Sequence, residues 1–334
     1  MVRLRKVSPS SPGWTRRRSG RGFRYLDEHG EPLAAEDVER VRSLVIPPAW
    51  QDVWICPVPN GHLQAVGTDA AGRRQYLYHP LWREQRDQQK FERVTGLARR
   101  LAETRRRVLE DIGLEGMPLQ RATATAVRLL DLGYFRIGSD VYADDHGSFG
   151  LTTLERQHVR RRGTTLEFTF VGKSGVEHTI TIDDSLSVTA VDTMRRRRGA
   201  DGRLLAYKKG RAWSPLDAEA VNAYLAEATG GAMTAKDFRT WHATVIAAAA
   251  LASSDEPGDT KASRARAVRA AMVEVAEYLG NTPAVARSSY VDPRVVDRYE
   301  SGVTIASAVR RRYPDPDARQ AALERAVLRL LASG

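Results

Sequence analysis

The spacing of apolar residues changes once along this chain of 334 residues, and the change lies between residues 85 and 92. Before it, short apolar runs are separated by turn signals such as Asn60-Gly61, a pattern typical of antiparallel strands. From Phe91 onward, apolar residues recur mainly at helical spacing. A chain of this length can bury two hydrophobic cores. The change therefore predicts an α+β protein with two domains.

Three segments follow from this change. Residues 1–20 are rich in Arg, Lys, Ser, Pro and Gly, which predicts a flexible basic arm. Residues 21–88 are expected to form a small antiparallel β-sheet domain, and residues 89–334 a larger, mainly α-helical domain. Strand-like runs at 164–171 and 176–182 flank Gly172-Lys173-Ser174-Gly175, so we expect a β-hairpin with Lys173 at its tip.

The charge of the chain narrows the class of partner. Lys and Arg number 52 against 41 Asp and Glu, which gives a formal net charge of +11. An excess of this size favours a polyanionic partner, and nucleic acid is the first candidate. A merely soluble basic protein has the same composition, so the charge alone does not decide between the two.

Several other classes of protein are not expected. The lone cysteine, Cys56, excludes an intramolecular disulfide and fits a reducing compartment, so we expect a cytoplasmic protein. No window approaches the roughly 18 apolar residues of a membrane-spanning helix, and residues 1–14 lack the apolar run of a secretory signal. The spacings His-x-x-x-His and Cys-x-x-Cys are absent, so we expect no metal.

Gly172-Lys173-Ser174 resembles part of a phosphate-binding loop and has to be tested as one. That loop needs an earlier glycine where this chain has Glu167, and it needs a helix after the lysine, where this chain predicts a strand. We therefore expect no nucleotide cofactor and no other cofactor.

The strand predicted at 72–78 carries groups suited to DNA. Side chains alternate along a strand, so Arg74, Tyr76 and Tyr78 share one face and Gln75 lies on the other. Arginine can hold phosphates or guanine, glutamine can bind adenine, and tyrosine can stack on a base or donate a hydrogen bond. The alternative is an exposed strand with two half-packed tyrosines.

Two cations stand in the first turn of a predicted helix that opens at Thr234, a good N-cap with Asp237 at the capping-box position. Lys236 and Arg239 are three residues apart and lie near one another on that helix. Two positive charges at a helix N-terminus are unfavourable unless an anion lies between them. The pair therefore indicates a possible anion site.

Tyr290 is the candidate nucleophile of the chain, although a tyrosine taken alone is more often a packed aromatic. It follows Asn281 in the stretch 279–290, where Ser288 and Ser289 leave the phenol little crowded. Other polar groups also stand at structural transitions: Arg136 at a helix exit and Lys173 at a hairpin tip. Cations, a proton donor and a nucleophile are together what phosphoryl transfer to a tyrosine requires.

These residues lie in motifs that resemble the type IB DNA topoisomerases, in their short poxvirus-like bacterial form. The resemblance runs from about Gly22 to about Pro293, and order and spacing carry it more than any one motif. The motifs are Gly-Arg-Arg-Gln-Tyr-Leu-Tyr (72–78), Tyr-Phe-Arg-Ile-Gly (134–138), Phe-Val-Gly-Lys-Ser-Gly (170–175), Lys-Asp-Phe-Arg-Thr (236–240) and Gly-Asn-Thr-Pro with Ser-Ser-Tyr (280–290).

The resemblance implies a catalytic role for each matching residue. Tyr290 is implied to attack a DNA phosphodiester and form a 3′-phosphotyrosyl link. Arg136 and Arg239 are implied to hold the scissile phosphate, a task that suits the forked guanidinium. Lys173 is implied to protonate the departing 5′-oxygen, and Lys236 to have an auxiliary role near the leaving group or nearby bases.

Asn281 departs from the family pattern, because many members have a histidine there. An asparagine can donate a hydrogen bond to a phosphate oxygen but carries no charge, so we expect a transition-state donor with no acid or base role. The resemblance further implies that the strand bearing Gln75, Tyr76 and Tyr78 contacts DNA. The implied fold is a two-domain clamp around duplex DNA.

The implied activity is relaxation of supercoiled duplex DNA without ATP or metal, by a protein that we expect to be a monomer. Two alternatives stay open. A tyrosine recombinase uses a similar set of residues but usually has a histidine three positions before its second arginine, where this chain has Lys236. A non-enzymatic architectural DNA-binding protein has no need of Tyr290 in this spaced set.

Overall fold

The computed structural model describes residues 3–138, 147–199, 202–231, 233–254 and 260–333. The chain divides into two compact units, Met1–Phe91 and Glu92–Gly334. The first is built on an antiparallel sheet and the second is mostly helical, which confirms the predicted two-domain α+β class. None of the helices in the described ranges is long and apolar enough to cross a membrane.

The first unit is a five-stranded antiparallel sheet in the order β2-β1-β3-β4-β5. One helix, α1 (Ala35–Ser43), lies between the second and third strands in the chain. Its buried Val41 belongs to one small core with Trp14, Ile55 and Ala65 of the sheet. The strands are β1 (Trp14–Ser19), β2 (Gly22–Leu26), β3 (Gln51–Ile55), β4 (Leu63–Thr68) and β5 (Arg74–Tyr78).

The flexible arm predicted for residues 1–20 is wrong for its last part, because Trp14–Ser19 is a central strand of this sheet. Trp14 is 7% exposed and pairs with Ile55. The guanidinium of Arg16 donates to the carbonyl oxygens of Ile46, Pro47 and Trp50 at 3.1, 2.6 and 2.9 Å. Burial of Trp14 and the bonds of Arg16 to these carbonyls order this segment.

Helix α2 (Pro80–Ala98) begins in the first unit and continues into the second, whose other helices pack around one core. In chain order they are α3 (Leu101–Ile112), α4 (Leu119–Gly133), α5 (Ser185–Arg195), α6 (Ala218–Thr229), α7 (Ala235–Ser253), α8 (Lys261–Leu279), α9 (Pro283–Ser289), α10 (Pro293–Glu300), α11 (Ala306–Val309) and α12 (Pro316–Ala332).

Two small antiparallel sheets complete the second unit. Strands β6 (Val159–Arg162), β7 (Thr165–Val171) and β8 (Glu177–Ile182) pair in that order, and the turn Lys173–Gly175 joins the last two. Strands β9 (Ala206–Lys209) and β10 (Ala212–Pro215) form a two-stranded ribbon. Lys173 therefore lies at a hairpin tip, as expected.

Helix α7 is the centre of this core. Thr234 caps it, with its hydroxyl accepting from the Asp237 N–H and the Asp237 carboxylate accepting from the Thr234 N–H, so the predicted capping box is confirmed. Phe238 and Trp241 are each 1% exposed, and the buried face continues to Leu251. Because α7 is buried on nearly every side, its polar side chains are held in fixed positions.

A buried ion network ties three helices together behind α7. Arg105 on α3 donates to Asp131 on α4 at 2.7 and 2.8 Å, and to Glu324 on α12 at 2.6 and 2.8 Å. His242 Nε2 lies 3.0 Å from the same Asp131 carboxylate. Burial raises the pKa of Asp131, but the charge and hydrogen bonds of Arg105, together with His242, outweigh it, and the net pKa lies well below its ordinary value. The network fixes the last turn of α4, where the site begins.

Candidate active site

The first side of the site is built by the chain leaving α4. Tyr134 ends that helix in the left-handed region (φ 53°), which few non-glycine residues adopt. Phe135 then packs into the core against Phe168 and Phe170, with ring centroids 5.1 and 5.9 Å apart. Burial of Phe135 anchors the backbone directly before Arg136. The Arg136 carbonyl accepts a hydrogen bond from the Leu151 N–H at 2.8 Å.

Arg136 reaches from α4 to the end of α8. Its Nη2 donates to the Gly280 carbonyl at 3.1 Å and to the Asn281 side-chain oxygen. Its Nε is buried and has no hydrogen-bond partner among the described residues. This N–H is therefore available to a further acceptor.

Arg239 lies on the first turns of α7 and is 5% exposed. Its Nη1 donates to the Tyr134 carbonyl and its Nη2 to the Leu279 carbonyl at 2.6 Å. Burial, and secondarily the charge of Arg136, lower its pKa to about 10. Two like charges held this close without a carboxylate between them fit an anionic ligand.

Tyr290 ends α9 and faces this arginine pair. The Arg239 guanidinium carbon lies 5.6 Å from the centroid of the Tyr290 ring, and the tyrosine is 9% exposed. Burial raises the pKa of the phenol, but the charges of Arg239, Arg136 and Lys236 outweigh it, so the net pKa falls below its ordinary value. The expected lack of crowding is wrong: Tyr290 is packed in the core and still borders the cavity.

Asn281 is fixed by the end of α8. Gly280 is left-handed (φ 58°), and the Asn281 N–H donates to the Ala276 carbonyl at 2.9 Å, which is a common way for a helix to end. Because the side-chain oxygen accepts from Arg136, the amide NH₂ points away from that arginine. This Nδ2 is buried and has no acceptor among the described residues. The asparagine therefore offers a second buried donor without a partner.

Lys173 and Lys236 differ from the arginines in that both are exposed. Lys173 stands on the hairpin turn, next to Ser174 in the left-handed region (φ 67°), and Lys236 is the second residue of α7. No hydrogen bond or ion pair of either ammonium is found within the described parts of the chain. Their positions are set by backbone alone.

One cavity of about 640 Å³ brings most of the predicted site together. Its lining contains five of the six predicted catalytic residues: Arg136, Lys173, Lys236, Asn281 and Tyr290. The sixth, Arg239, lines an adjoining cavity of about 470 Å³, which Arg136 also borders. Residues from α4, the hairpin, α7, α8 and the end of α9 thus meet at one place.

His178 is a residue of this site that the sequence interpretation missed, and it borders both cavities. It lies on β8, where side chains alternate between exposed and more buried positions from Glu177 to Ile182. That alternation places His178 on the same face as Ile180 and Ile182. The signal was present in the sequence, because a histidine stands where the strand pattern requires an apolar residue.

The candidate DNA-contacting residues lie in the first unit, on the edge strand β5. The rings of Tyr76 and Tyr78 stack with centroids 6.2 Å apart and 15° between planes, and Tyr76 is 46% exposed. Arg74 is exposed, whereas the Gln75 amide donates to Asp69 at 2.8 Å. Tyr76 and Arg74 are exposed and Tyr78 is half-buried, whereas Gln75 must give up its bond to Asp69 before it can contact a ligand.

The chain is similar to known proteins over most of its length. Residues 79–312 match the family described as eukaryotic DNA topoisomerase I, catalytic core, and residues 22–69 match bacterial DNA topoisomerase IB, N-terminal domain. DNA topoisomerase 1B of Acanthamoeba polyphaga mimivirus is 27% identical over 297 residues, or 86% of this chain and 88% of the relative. All six predicted catalytic residues lie in the first match, while β5 lies between the two.

Proposed function

This chain belongs to the type IB DNA topoisomerases, and from that premise we propose that it relaxes supercoiled duplex DNA by a transient single-strand break at Tyr290. The observation that carries the proposal is the convergence of one buried arginine, one half-buried arginine and a buried amide nitrogen beside a tyrosine of lowered pKa. A phosphodiester supplies the negative charge and the acceptor oxygens that this arrangement lacks.

The cleavage step exchanges one phosphodiester for another. Tyr290 Oη bonds to phosphorus and gives up its proton to water, while the bond from phosphorus to the 5′-oxygen breaks. The Lys173 ammonium gives a proton to that oxygen, so a neutral 5′-hydroxyl leaves and a 3′-phosphotyrosyl link remains. Religation is the same exchange in reverse. Because one phosphodiester replaces another, the step requires no ATP, and rotation about the intact strand relaxes supercoils of either sign.

Each donor has a separate task in this scheme. Arg136 and Arg239 hold the two non-bridging oxygens, and bonds to the carbonyls of Gly280, Tyr134 and Leu279 fix the direction of their guanidinium groups. Asn281 donates its Nδ2 hydrogen to an oxygen that gains charge in the transition state. Lys236 adds positive charge beside the phenol and the departing strand.

The remaining parts of the proposal concern binding and location. We place DNA contacts on β5, with Tyr76, Tyr78 and Arg74 as the contacting groups and Gln75 following once it leaves Asp69. Residues 21–88 then serve as a DNA-binding domain and residues 89–334 as the catalytic domain. One chain supplies every residue of the site, which supports action as a monomer, and we place the protein in the cytoplasm with the DNA.

The test is relaxation of a supercoiled plasmid in EDTA without ATP. The wild-type protein should relax the plasmid, and Tyr290→Phe should abolish both relaxation and the covalent protein–DNA adduct while noncovalent DNA binding persists. The exposed Tyr278→Phe serves as the matched control, because Tyr278 borders only the adjoining cavity. Absence of relaxation by the wild type at every salt concentration contradicts the proposal.

A further inference from the structure

His178 lies between two parts of the site, the Lys173 hairpin and the turn that follows α8. Its ring stacks on Phe170 of β7, with centroids 5.2 Å apart and 22° between planes. From this position on β8 it reaches the end of α8, where it borders the cavity beside Gly280 and Asn281. The ring therefore bridges the base of the Lys173 hairpin and the turn that carries Asn281.

Two glycines receive the ring on either side. A methyl group at Gly172 would lie 2.6 Å from His178 Cδ2, and one at Gly280 would overlap Cε1 of the same ring. Only a residue without Cβ lets the backbone come this close to an aromatic ring. Gly172 directly precedes Lys173, and Gly280 directly precedes Asn281, so the ring holds both catalytic neighbours through their backbones.

The charge of the ring also suits this position. Burial, followed by the charges of Arg136 and Arg239, lowers the pKa of His178 below its ordinary value. The ring is therefore neutral at neutral pH, and it can pack beside two arginines without adding a third positive charge. A lysine or arginine of similar reach would repel them.

We propose that His178 is a positioning residue, which fixes the Lys173 hairpin against the Gly280–Asn281 turn so that the lysine ammonium reaches the departing 5′-oxygen. This inference rests on the proposed function. Lys173 has no bond of its own within the described residues, so packing at the base of its hairpin decides where the ammonium lies. His178 itself neither gives nor takes a proton.

The experiment compares two DNA duplexes of the same sequence that differ only in the leaving group. The cleavage position in this sequence is mapped first. One duplex has the ordinary 5′-oxygen at the scissile bond and the other has sulfur there. A thiolate leaves without a proton, so the sulfur duplex does not depend on Lys173. With the oxygen duplex, His178→Ala should slow formation of the covalent adduct by about ten- to a hundredfold, a large part of what a general acid contributes. With the sulfur duplex, the rate should stay near that of wild type.

His158→Ala is the matched control. His158 is also a half-buried histidine packed on a phenylalanine, with its ring centroid 4.4 Å from that of Phe149, but it does not border the 640 Å³ cavity. This variant should cleave both duplexes at the wild-type rate. Equal slowing of both duplexes by His178→Ala contradicts the proposal, because it indicates a general loss of the site, and an unchanged rate on both contradicts it as well.

Gly172→Ala tests the same contact from the other side and keeps the histidine. Its backbone (φ −96°, ψ −167°) accepts alanine, but the new methyl displaces the ring. Gly172→Ala should slow cleavage of the oxygen duplex only. In the His178→Ala background it should slow cleavage little further, because both changes remove the same contact. Additive losses contradict the proposal. If wild-type protein forms no adduct on either duplex, the proposed function fails, which is a different result.

Discussion

The two sides of the cavity are built in opposite ways. On the side that we call the arginine side, Arg239 is buried, and Arg136 and Asn281 are half-buried. Their side chains are held by bonds to the carbonyls of Tyr134, Leu279 and Gly280, or to one another. On the lysine side, Lys173 and Lys236 are exposed and lack such bonds among the described residues. The two arginines and Asn281 are thus held by bonds within the protein, whereas the lysines depend on the backbone that carries them.

The difference has a physical reason. Two guanidinium groups at one phosphate repel each other when the phosphate is absent, so the fold must hold them in place with carbonyl dipoles. A lysine that gives up a proton has to move with the reacting oxygen, and an exposed ammonium keeps that freedom.

The largest expected effect is on the support behind the arginine side. Arg105→Leu removes the guanidinium that Asp131 and Glu324 share, and loss of one partner of a buried ion pair costs about 3–5 kcal/mol of unfolding free energy. Urea denaturation measures the loss. The exposed pair of Arg106 and Glu110 on the same helix provides the control, Arg106→Leu, for which a change below about 1 kcal/mol is expected. Equal effects would show that the network does not support α4.

The second effect is on the arginine pair itself. Arg239→Lys keeps the charge but cannot bond the Tyr134 and Leu279 carbonyls in two fixed directions. Cleavage should slow by about a hundred- to a thousandfold, the range for losing a fixed transition-state donor. Single-turnover adduct formation measures it, with the exposed Arg325→Lys on α12 as control. Full activity of Arg239→Lys contradicts a prebuilt arginine side.

The third prediction concerns Asn281, the position where the family pattern is not followed. Asn281→Ala removes the buried donor and should raise the cleavage barrier by about 2–4 kcal/mol. Asn281→Asp keeps the shape but replaces the donor with a negative charge, and it should be at least as slow. Unchanged single-turnover rates for the alanine variant would remove Asn281 from the site.

The smallest expected effect is a shift in the pH at which Tyr290 ionises. The lowered pKa of Tyr290 means that its phenolate forms at lower pH than an ordinary tyrosine, whose pKa is about 10. Burial raises the pKa of Tyr134 to about 12, so that residue titrates later. An ultraviolet titration of the free protein should therefore show an early phenolate component that Tyr290→Phe removes. Its persistence in the variant would show that the cations do not act on Tyr290.

Local patterns in the sequence predicted much of this architecture. The change of apolar spacing near residue 90 predicted two domains, and Thr234 with Asp237 predicted the start of α7. The prediction of an arm failed because the pairing of Trp14 with Ile55 joins residues far apart in the chain, which charge composition does not reveal. A run of arginines looks the same in a solvated tail and in a strand whose arginine bonds to carbonyls.

The candidate site was predictable as a set of residues but not as a geometry. Motif spacing brought Arg136, Lys173, Arg239 and Tyr290 into one hypothesis. The bonds of Arg239 to carbonyls 105 and 40 positions away in the chain depend on tertiary packing, which no local pattern encodes. The same holds for His178, whose role depends on two glycines from separate elements.

Mass mapping of the DNA-linked peptide tests most directly whether Tyr290 is the nucleophile. The protein is trapped on a plasmid by denaturation during relaxation, digested with a protease, and the peptide that retains a nucleotide is sequenced by fragmentation. We expect a single modified residue, Tyr290, linked to the 3′-phosphate of the cut strand. A nucleotide on any other residue, or attached through the 5′-phosphate, would contradict it.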